Sequence, residues 1–313
     1  MSEPSAPALL EDLRSGGKRA MAQALARIEA TPDGPLALAL LDAAYHGARA
    51  QVIGLTGPPG AGKSTLIARL IGALRTQGRS IGVVAIDPSS RRTGGALLGD
   101  RVRFGLDPGD QRVFVRSMAA RGRLGGLAAH APAAVTLMRA VYDRVIVETV
   151  GVGQSETDIA TVGDTVVLCV QPGSGDSLQY MKAGIAEIPD IAVVSKADLG
   201  SIALKTQSDL EAALALDRRS DGWSVPVMLV SGSEGRGIAE LLQAIAEHAA
   251  YLSIDARLDA KRHGQAEMWL ADAIQAEFGR RGLEHLMRAG GLDLAPGQSP
   301  FQHWRRLAAT LRN

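Results

Sequence analysis

The 313-residue sequence predicts an α/β fold with a mostly parallel central sheet, a helical N-terminal extension and a C-terminal helical arm. Three observations predict it. Short apolar runs of Val, Ile, Leu and Ala are nearly continuous, as strands buried on both faces require. Helical stretches separate most of these runs, the alternation that builds parallel sheets. Outside the alternating region, apolar positions recur at helical spacing alone. With 46% hydrophobic but only 4% aromatic residues, the packing must be largely aliphatic.

Taken in order, Leu9–Arg14 and Lys18–Ile28 are helical, Asp33-Gly34-Pro35 interrupts, and Leu36–Ala48 is helical again. Strands are expected at Val52–Thr56, Ile81–Ile86, Val113–Val115, Val145–Val147, Thr165–Val170, Ile191–Val194 and Val225–Val230. Further helices are expected at Ala239–Tyr251, Gln265–Phe278 and Gln302–Leu311. The expected division is residues 1–50 as extension, 51–250 as the sheet domain and 251–313 as the arm.

Composition narrows the function. The formal net charge of +1 gives no electrostatic reason to expect a nucleic-acid or membrane partner. The single cysteine, Cys169, lies in an apolar run and can form neither an internal disulfide nor a cysteine-based zinc cluster. The beginning Met1-Ser2-Glu3-Pro4 lacks a signal-peptide pattern, and no apolar run reaches about 18 residues, so a cytoplasmic location is expected.

Gly57-Pro58-Pro59-Gly60-Ala61-Gly62-Lys63-Ser64 matches G-x-x-x-x-G-K-[ST] at every fixed position, between a strand and the helix Thr65–Thr76. This is a P-loop. Its glycines let consecutive N–H groups approach phosphate oxygens, and the helix N-terminus adds positive potential. Lys63 is expected at the β- and γ-phosphates and Ser64 on Mg²⁺. Ser195-Lys196-Ala197-Asp198, after a strand, is close to the guanine-reading N-K-x-D. Asp198 would accept both guanine N1–H and N2–H, and adenine would leave it desolvated at about 1–3 kcal/mol. Serine stands at 195 where asparagine is usual. Ser231-Gly232-Ser233 follows another strand and would offer a backbone N–H to guanine O6; ordinary strand-end turns are the plainer reading of both loops.

Glu148 ends the run from Asp143, and Gly151 follows three residues later. The carboxylate would orient Mg²⁺ or its waters, and the Gly151 N–H would sense the γ-phosphate. Asp87, at another strand end, would share that ion unless it merely begins an Asp-Pro turn. Asp100 is a further metal-side candidate in the loop 88–101, where Arg91, Arg92 and Arg101 meet phosphate, a partner or only solvent. Val152 replaces the glutamine that orients water in small regulatory GTPases, and Gln154 lies nearby, so slow intrinsic hydrolysis is expected.

The P-loop, Asp87-Pro88-Ser89-Ser90, Thr93-Gly94-Gly95, Leu98-Gly99-Asp100, the stretch Glu148–Glu156 and Pro172–Asp176 together resemble the MeaB/ArgK family. These are G-protein chaperones of adenosylcobalamin-dependent acyl-CoA mutases. The resemblance covers about residues 50–240, and the helical ends more loosely. It implies a GTP/GDP cycle with Mg²⁺, and a mutase client whose cofactor loading is gated and which is protected or reactivated. It also implies a homodimer formed through the C-terminal arm. Asp87, Asp100 and Glu148 would be the Mg²⁺-side carboxylates. Gln171–Lys182 would be an extra switch, with Lys182 as its signalling or catalytic contact; a strand-to-helix turn near Asp176 is the alternative. A metal-insertion GTPase would need clustered His or Cys, whereas the six histidines are scattered. A P-loop kinase is the other alternative, and Asp198 favours a switch protein over it.

Overall fold

The computed structural model describes residues 6–87, 104–119, 130–149, 158–173, 188–215 and 221–312. Three helices come first: α1 (Ala6–Ser15), α2 (Gly17–Ala30) and α3 (Pro35–His46). In α2 the buried residues Met21, Leu25 and Ile28 recur at helical spacing along one face. Pro35 occupies the first turn of α3, where its missing N–H costs no hydrogen bond.

Seven strands then form one sheet: β1 (Gln51–Thr56), β2 (Ile81–Asp87), β3 (Val113–Ala119), β4 (Arg144–Glu148), β5 (Thr165–Val170), β6 (Ile191–Val194) and β7 (Val227–Leu229). Their order is β3-β2-β4-β1-β5-β6-β7, and every recorded pairing is parallel. The P-loop helix α4 (Lys63–Thr76) and α5 (Ala131–Val141) lie among the crossovers. α6 (Ser201–Leu214) joins β6 to β7, and α7 (Ile238–Leu252) follows β7. The chain ends in α8 (Arg257–Arg288) and α9 (Pro300–Arg312).

Strand alternation divides the core. Ile53, Leu55, Val83 and Cys169 pack against Ile67 and Leu70 of α4 and Leu241 of α7. On the other face, Val52, Val84 and Val147 join Leu38 of α3, Met138 of α5, Leu270 of α8 and Trp304 of α9 in one cluster. The helices at both ends of the sequence therefore pack on the same side of the sheet. Among the described residues, no helix is long and apolar enough to cross a membrane.

Several element boundaries, those of β3, β7 and α8 among them, differ from those read off the sequence. β3 runs to Ala119, since Arg116 is held by a salt bridge to Glu29 and so tolerates a strand position that is not apolar. β7 is confined to Val227–Leu229. α8 begins at Arg257, eight residues before Gln265. Its left-handed Gly279 (φ 68°) breaks it directly after Phe278, where the sequence places the end.

The early start of α8 is explained by charge. Asp164 precedes β5 and Asp190 precedes β6, both fully buried at the amino ends of the strands. Asp164 accepts Arg262 Nε (2.9 Å) and Nη2 (2.7 Å), together with the Val52 amide (2.8 Å). Arg262 also donates to the Ala50 carbonyl at 2.9 Å. Asp190 accepts the Val166 amide (2.8 Å) and Lys261 Nζ (3.1 Å), and it lies 3.4 Å from His248 Nε2. His248 Nδ1 is bonded to Thr165 Oγ1 at 2.8 Å. These polar contacts clasp α8 to the sheet floor, opposite the P-loop.

Candidate functional site

Strand β1 delivers the P-loop to the carboxyl edge of the sheet. Gly57 has φ +134°, and a Cβ there would lie 2.0 Å from the Cys169 carbonyl oxygen of β5, so no other residue fits. Gly60 and Gly62 are also left-handed, at φ +80° each. Ala61 is buried, while Pro59 and Gly60 face solvent. Gly62 caps α4, so the first N–H groups of that helix open toward the loop as an anion site. Lys63 is only 6% exposed; its Nζ donates to the Gly57 (2.5 Å) and Pro58 (3.0 Å) carbonyls inside the loop. That position holds a cation where phosphate oxygens would arrive.

The metal side adjoins it. Leu55 of β1 and Ala85 of β2 both pair with Glu148, so Glu148 and Asp87 end on adjacent strands. Ser64 Oγ donates to Glu148 Oε1 at 2.9 Å. Thr149 Oγ1 donates to Thr56 Oγ1 at 3.0 Å and ties the end of β4 to β1. Among the described residues, no three His, Cys, Asp or Glu side chains converge on one point. One hydroxyl and one carboxylate, all oxygen, are a donor set that fits Mg²⁺, which keeps waters and phosphate oxygens for its remaining positions.

The base side is built from the ends of β6 and β7. Ser231 Oγ (2.6 Å) and Ser233 Oγ (3.4 Å) both donate to Asp198 Oδ1. The Ser231 bond, foremost, holds the Asp198 carboxyl below its ordinary range, so this exposed group is a carboxylate at neutral pH. Lys196 is left-handed (φ 52°), and its Nζ donates to Gln171 Oε1 at 2.8 Å, which stretches its stem beside the base position. Ser195 is buried. Its Oγ donates to the Val170 carbonyl at 3.0 Å, and a Cβ added at Gly62 would lie 3.8 Å from its side chain. Serine thus ties this loop to β5 where a longer amide would reach further into the P-loop. Gly232 lies against Thr65: a Cβ there would come 2.8 Å from Thr65 Cγ2.

The structure therefore brings Gly57, Lys63, Ser64, Thr65, Glu148, Ser195, Lys196, Asp198, Ser231 and Gly232 to one edge of the sheet. The backbone of Asp87 is there also, although its side chain lies outside the description. Asp100, Gly151, Val152, Gln154, Asp176 and Lys182 lie outside the described residues, as do Arg91, Arg92 and Arg101.

Arg69 escaped the sequence reading, and Gln171 entered it only as the first residue of the expected switch Gln171–Lys182. Arg69 donates to the Gly232 (2.6 Å) and Ser233 (2.7 Å) carbonyls, clamping the second base loop to α4. It stands four residues after Thr65, on the same helix face, which is the one signal the sequence offers. Gln171 bridges toward both loops: Lys196 donates to its Oε1, and an added Cβ at Gly60 would lie 3.8 Å from that same atom.

A phosphate cradle, an oxygen-donor pair and a carboxylate set for guanine now stand together. Comparison with known proteins agrees with them. The family model described as methylmalonyl-CoA mutase-associated GTPase MeaB matches residues 21–285. A putative GTPase of Pyrococcus horikoshii is 43% identical over 264 residues, covering 83% of this chain and 82% of that protein. The GTPase ArgK of Escherichia coli is 37% identical over 282 residues, covering 88% of this chain and 84% of its own length. A solved structure described as a LAO/AO transport system kinase superposes with a TM-score of 0.69 at 28% identity, covering 100% of this chain and 99% of that one. With the match spanning most of its length, the chain belongs to the methylmalonyl-CoA mutase-associated GTPase family, MeaB, and is a guanine-nucleotide-binding GTPase.

Proposed function

We propose that this GTPase is a slow nucleotide switch that chaperones an adenosylcobalamin-dependent acyl-CoA mutase, gating cofactor loading and protecting or reactivating its client. The observation that carries this reading is the family match over residues 21–285, whose description names association with a mutase. The geometry supports the switch half of it. Asp198, aligned by two serine hydroxyls, is shaped to accept two guanine protons. Lys63, already buried among loop carbonyls, would exchange them for β- and γ-phosphate oxygens.

The remaining roles follow the same reading. P-loop backbone N–H groups from Gly60 to Thr65 cradle the phosphates, with Gly57 and Pro59 shaping the loop, and the Ser231-Gly232 backbone faces guanine O6. Ser64, Glu148, Asp87 and Asp100 hold Mg²⁺ or its waters; when bound, that ion supplies charge neutralisation across the β- and γ-phosphates. Gly151 senses the γ-phosphate, Gln154 serves the attacking water, and Lys182 carries the signal to or from the client. The chain works in the cytoplasm as a homodimer joined through residues 251–313.

The test combines the purified full-length chain with a candidate mutase and follows single-turnover GTP hydrolysis. Below about 1 s⁻¹ alone, and faster with the true client, is the expected result. Fast hydrolysis in isolation, or no response to any cobalamin mutase that it co-purifies with, would remove the chaperone reading.

A further inference from the structure

The loop after β7 is a tight turn whose internal hydrogen bonds decide which donors it has left. The Ser231 N–H donates to the Arg236 carbonyl (3.0 Å), and the Gly235 N–H donates to the Ser231 carbonyl (2.8 Å). The Glu234 N–H donates to Ser231 Oγ (3.3 Å). The Gly232 and Ser233 N–H groups have no acceptor among the described residues. The carbonyls of the same two residues share one partner, Arg69, whose Nε reaches Gly232 at 2.6 Å and whose Nη2 reaches Ser233 at 2.7 Å. A guanidinium presents its N–H groups as a planar fork, so the two carbonyls are fixed together. In a trans peptide the C=O and the following N–H point opposite ways. Seating the Gly232 carbonyl on Arg69 therefore turns the Ser233 N–H away from that side chain. Arg69 stands on α4, whose first residues, Lys63 and Ser64, form the phosphate side. It follows Ser64 by about 7.5 Å along the helix axis.

We propose that Arg69 is a positioning residue for guanine. By holding the Gly232 and Ser233 carbonyls to the phosphate-binding helix, it keeps their N–H groups set for the base and keeps the Ser231 and Ser233 hydroxyls on Asp198. The inference rests on the assignment of Asp198 and the 231–233 loop to guanine. Its effect is base-selective: guanine offers an oxygen acceptor at O6, whereas adenine carries an amino group at that position and gains nothing from the same N–H groups. Arg69 itself is exposed, and α4 packs through Leu66, Ile67 and Leu70 instead. Alanine is the strongest helix former, so Arg69→Ala keeps α4 and removes only the clamp.

The test is equilibrium dialysis of the full-length protein with radiolabelled GDP and, separately, ADP, so that hydrolysis does not intervene. A cooperative thermal melt confirms that each variant is folded. Arg69→Ala should weaken GDP about tenfold and leave ADP within about twofold of the unaltered chain. Arg69→Lys, whose ammonium still offers donors to both carbonyls, should bring GDP back to within about threefold. A purely structural role would weaken both nucleotides alike. GDP affinity within twofold of the unaltered chain in Arg69→Ala, equal weakening of GDP and ADP, or Arg69→Lys as weak as Arg69→Ala would each overturn the proposal. Asp198→Asn, measured alongside, separates the two readings. If it keeps the preference for GDP over ADP, the guanine assignment falls and takes this inference with it. If it loses that preference while Arg69→Ala retains it, the inference about Arg69 alone falls.

Discussion

Replacing Arg262 by alanine tests whether the C-terminal helix is fastened to the sheet by charge. Arg262 makes two bonds to Asp164 and one to the Ala50 carbonyl. The pair is interior: the side-chain exposures are 15% for Arg262 and 0% for Asp164. Removing one partner of such a pair strands a desolvated charge and costs about 3–5 kcal/mol. A like-charge contact moderates that figure. Burial, and then the nearby Arg262 charge, pulls Arg139 down to about 10, and Asp164 acts the other way on it. Deleting Arg262 relieves Arg139, which places the expected loss near the lower bound, about 3 kcal/mol. Urea unfolding should show a lower midpoint at unchanged m, and the melting temperature should fall roughly 6–12 °C. The double variant Arg262→Ala with Asp164→Ala should recover part of the loss, since the stranded carboxylate is gone. A single-variant loss below about 1 kcal/mol, the range of exposed pairs, would refute the reasoning and show that the Arg262–Asp164 pair contributes little to holding α8.

Lys63→Ala should weaken GTP binding by at least about a hundredfold, measured with a fluorescent nucleotide, because a buried cation at the phosphate cradle is lost; unchanged affinity would contradict its phosphate role. Asp198→Asn should move preference from guanine toward xanthine nucleotides, read in competition titrations, and retained GTP preference would count against the base assignment. Native guanine recognition should stay flat from pH 8 to pH 5. The Asp198 carboxyl is held below its ordinary 3.8, so its charge, and any stability that depends on it, is lost only as pH falls through that lowered value. Cys169 is buried and its thiol is pushed up to about 12 by that burial, so a thiol reagent at pH 8 should label it only as the chain unfolds; rapid labelling of folded protein would show that β5 opens beside the P-loop.

The parallel sheet was legible because its strands are buried on both faces, which turns them into unbroken apolar runs such as Thr165–Val170. The P-loop was legible because its glycines meet a steric requirement, visible in the 2.0 Å approach at Gly57. Charged core contacts were not. Lys261 and Arg262 look like a solvated helix face, and only the fold reveals Asp190 and Asp164 beneath them. Arg116 hid the length of β3 in the same way. At the site, Asp198 could be read from its motif, but its serine supports come from a loop 33 residues away, and Arg69 acts through its neighbours' backbone rather than through any motif. Pattern reports local periodicity, while such contacts depend on which strand ends become neighbours.

The shared core on the helical side of the sheet has a genetic meaning. Leu270, Ile274, Phe301 and Trp304 lie in the same cluster as Val52 and Val147, the strands that carry the P-loop and Glu148. A stop codon near position 250 would thus uncover the nucleotide domain itself, and late truncating alleles should behave as loss-of-folding alleles with low protein abundance. Pairing of two chains is accordingly better probed by single surface substitutions on α8 and α9, followed by light scattering, than by deleting the end of the chain.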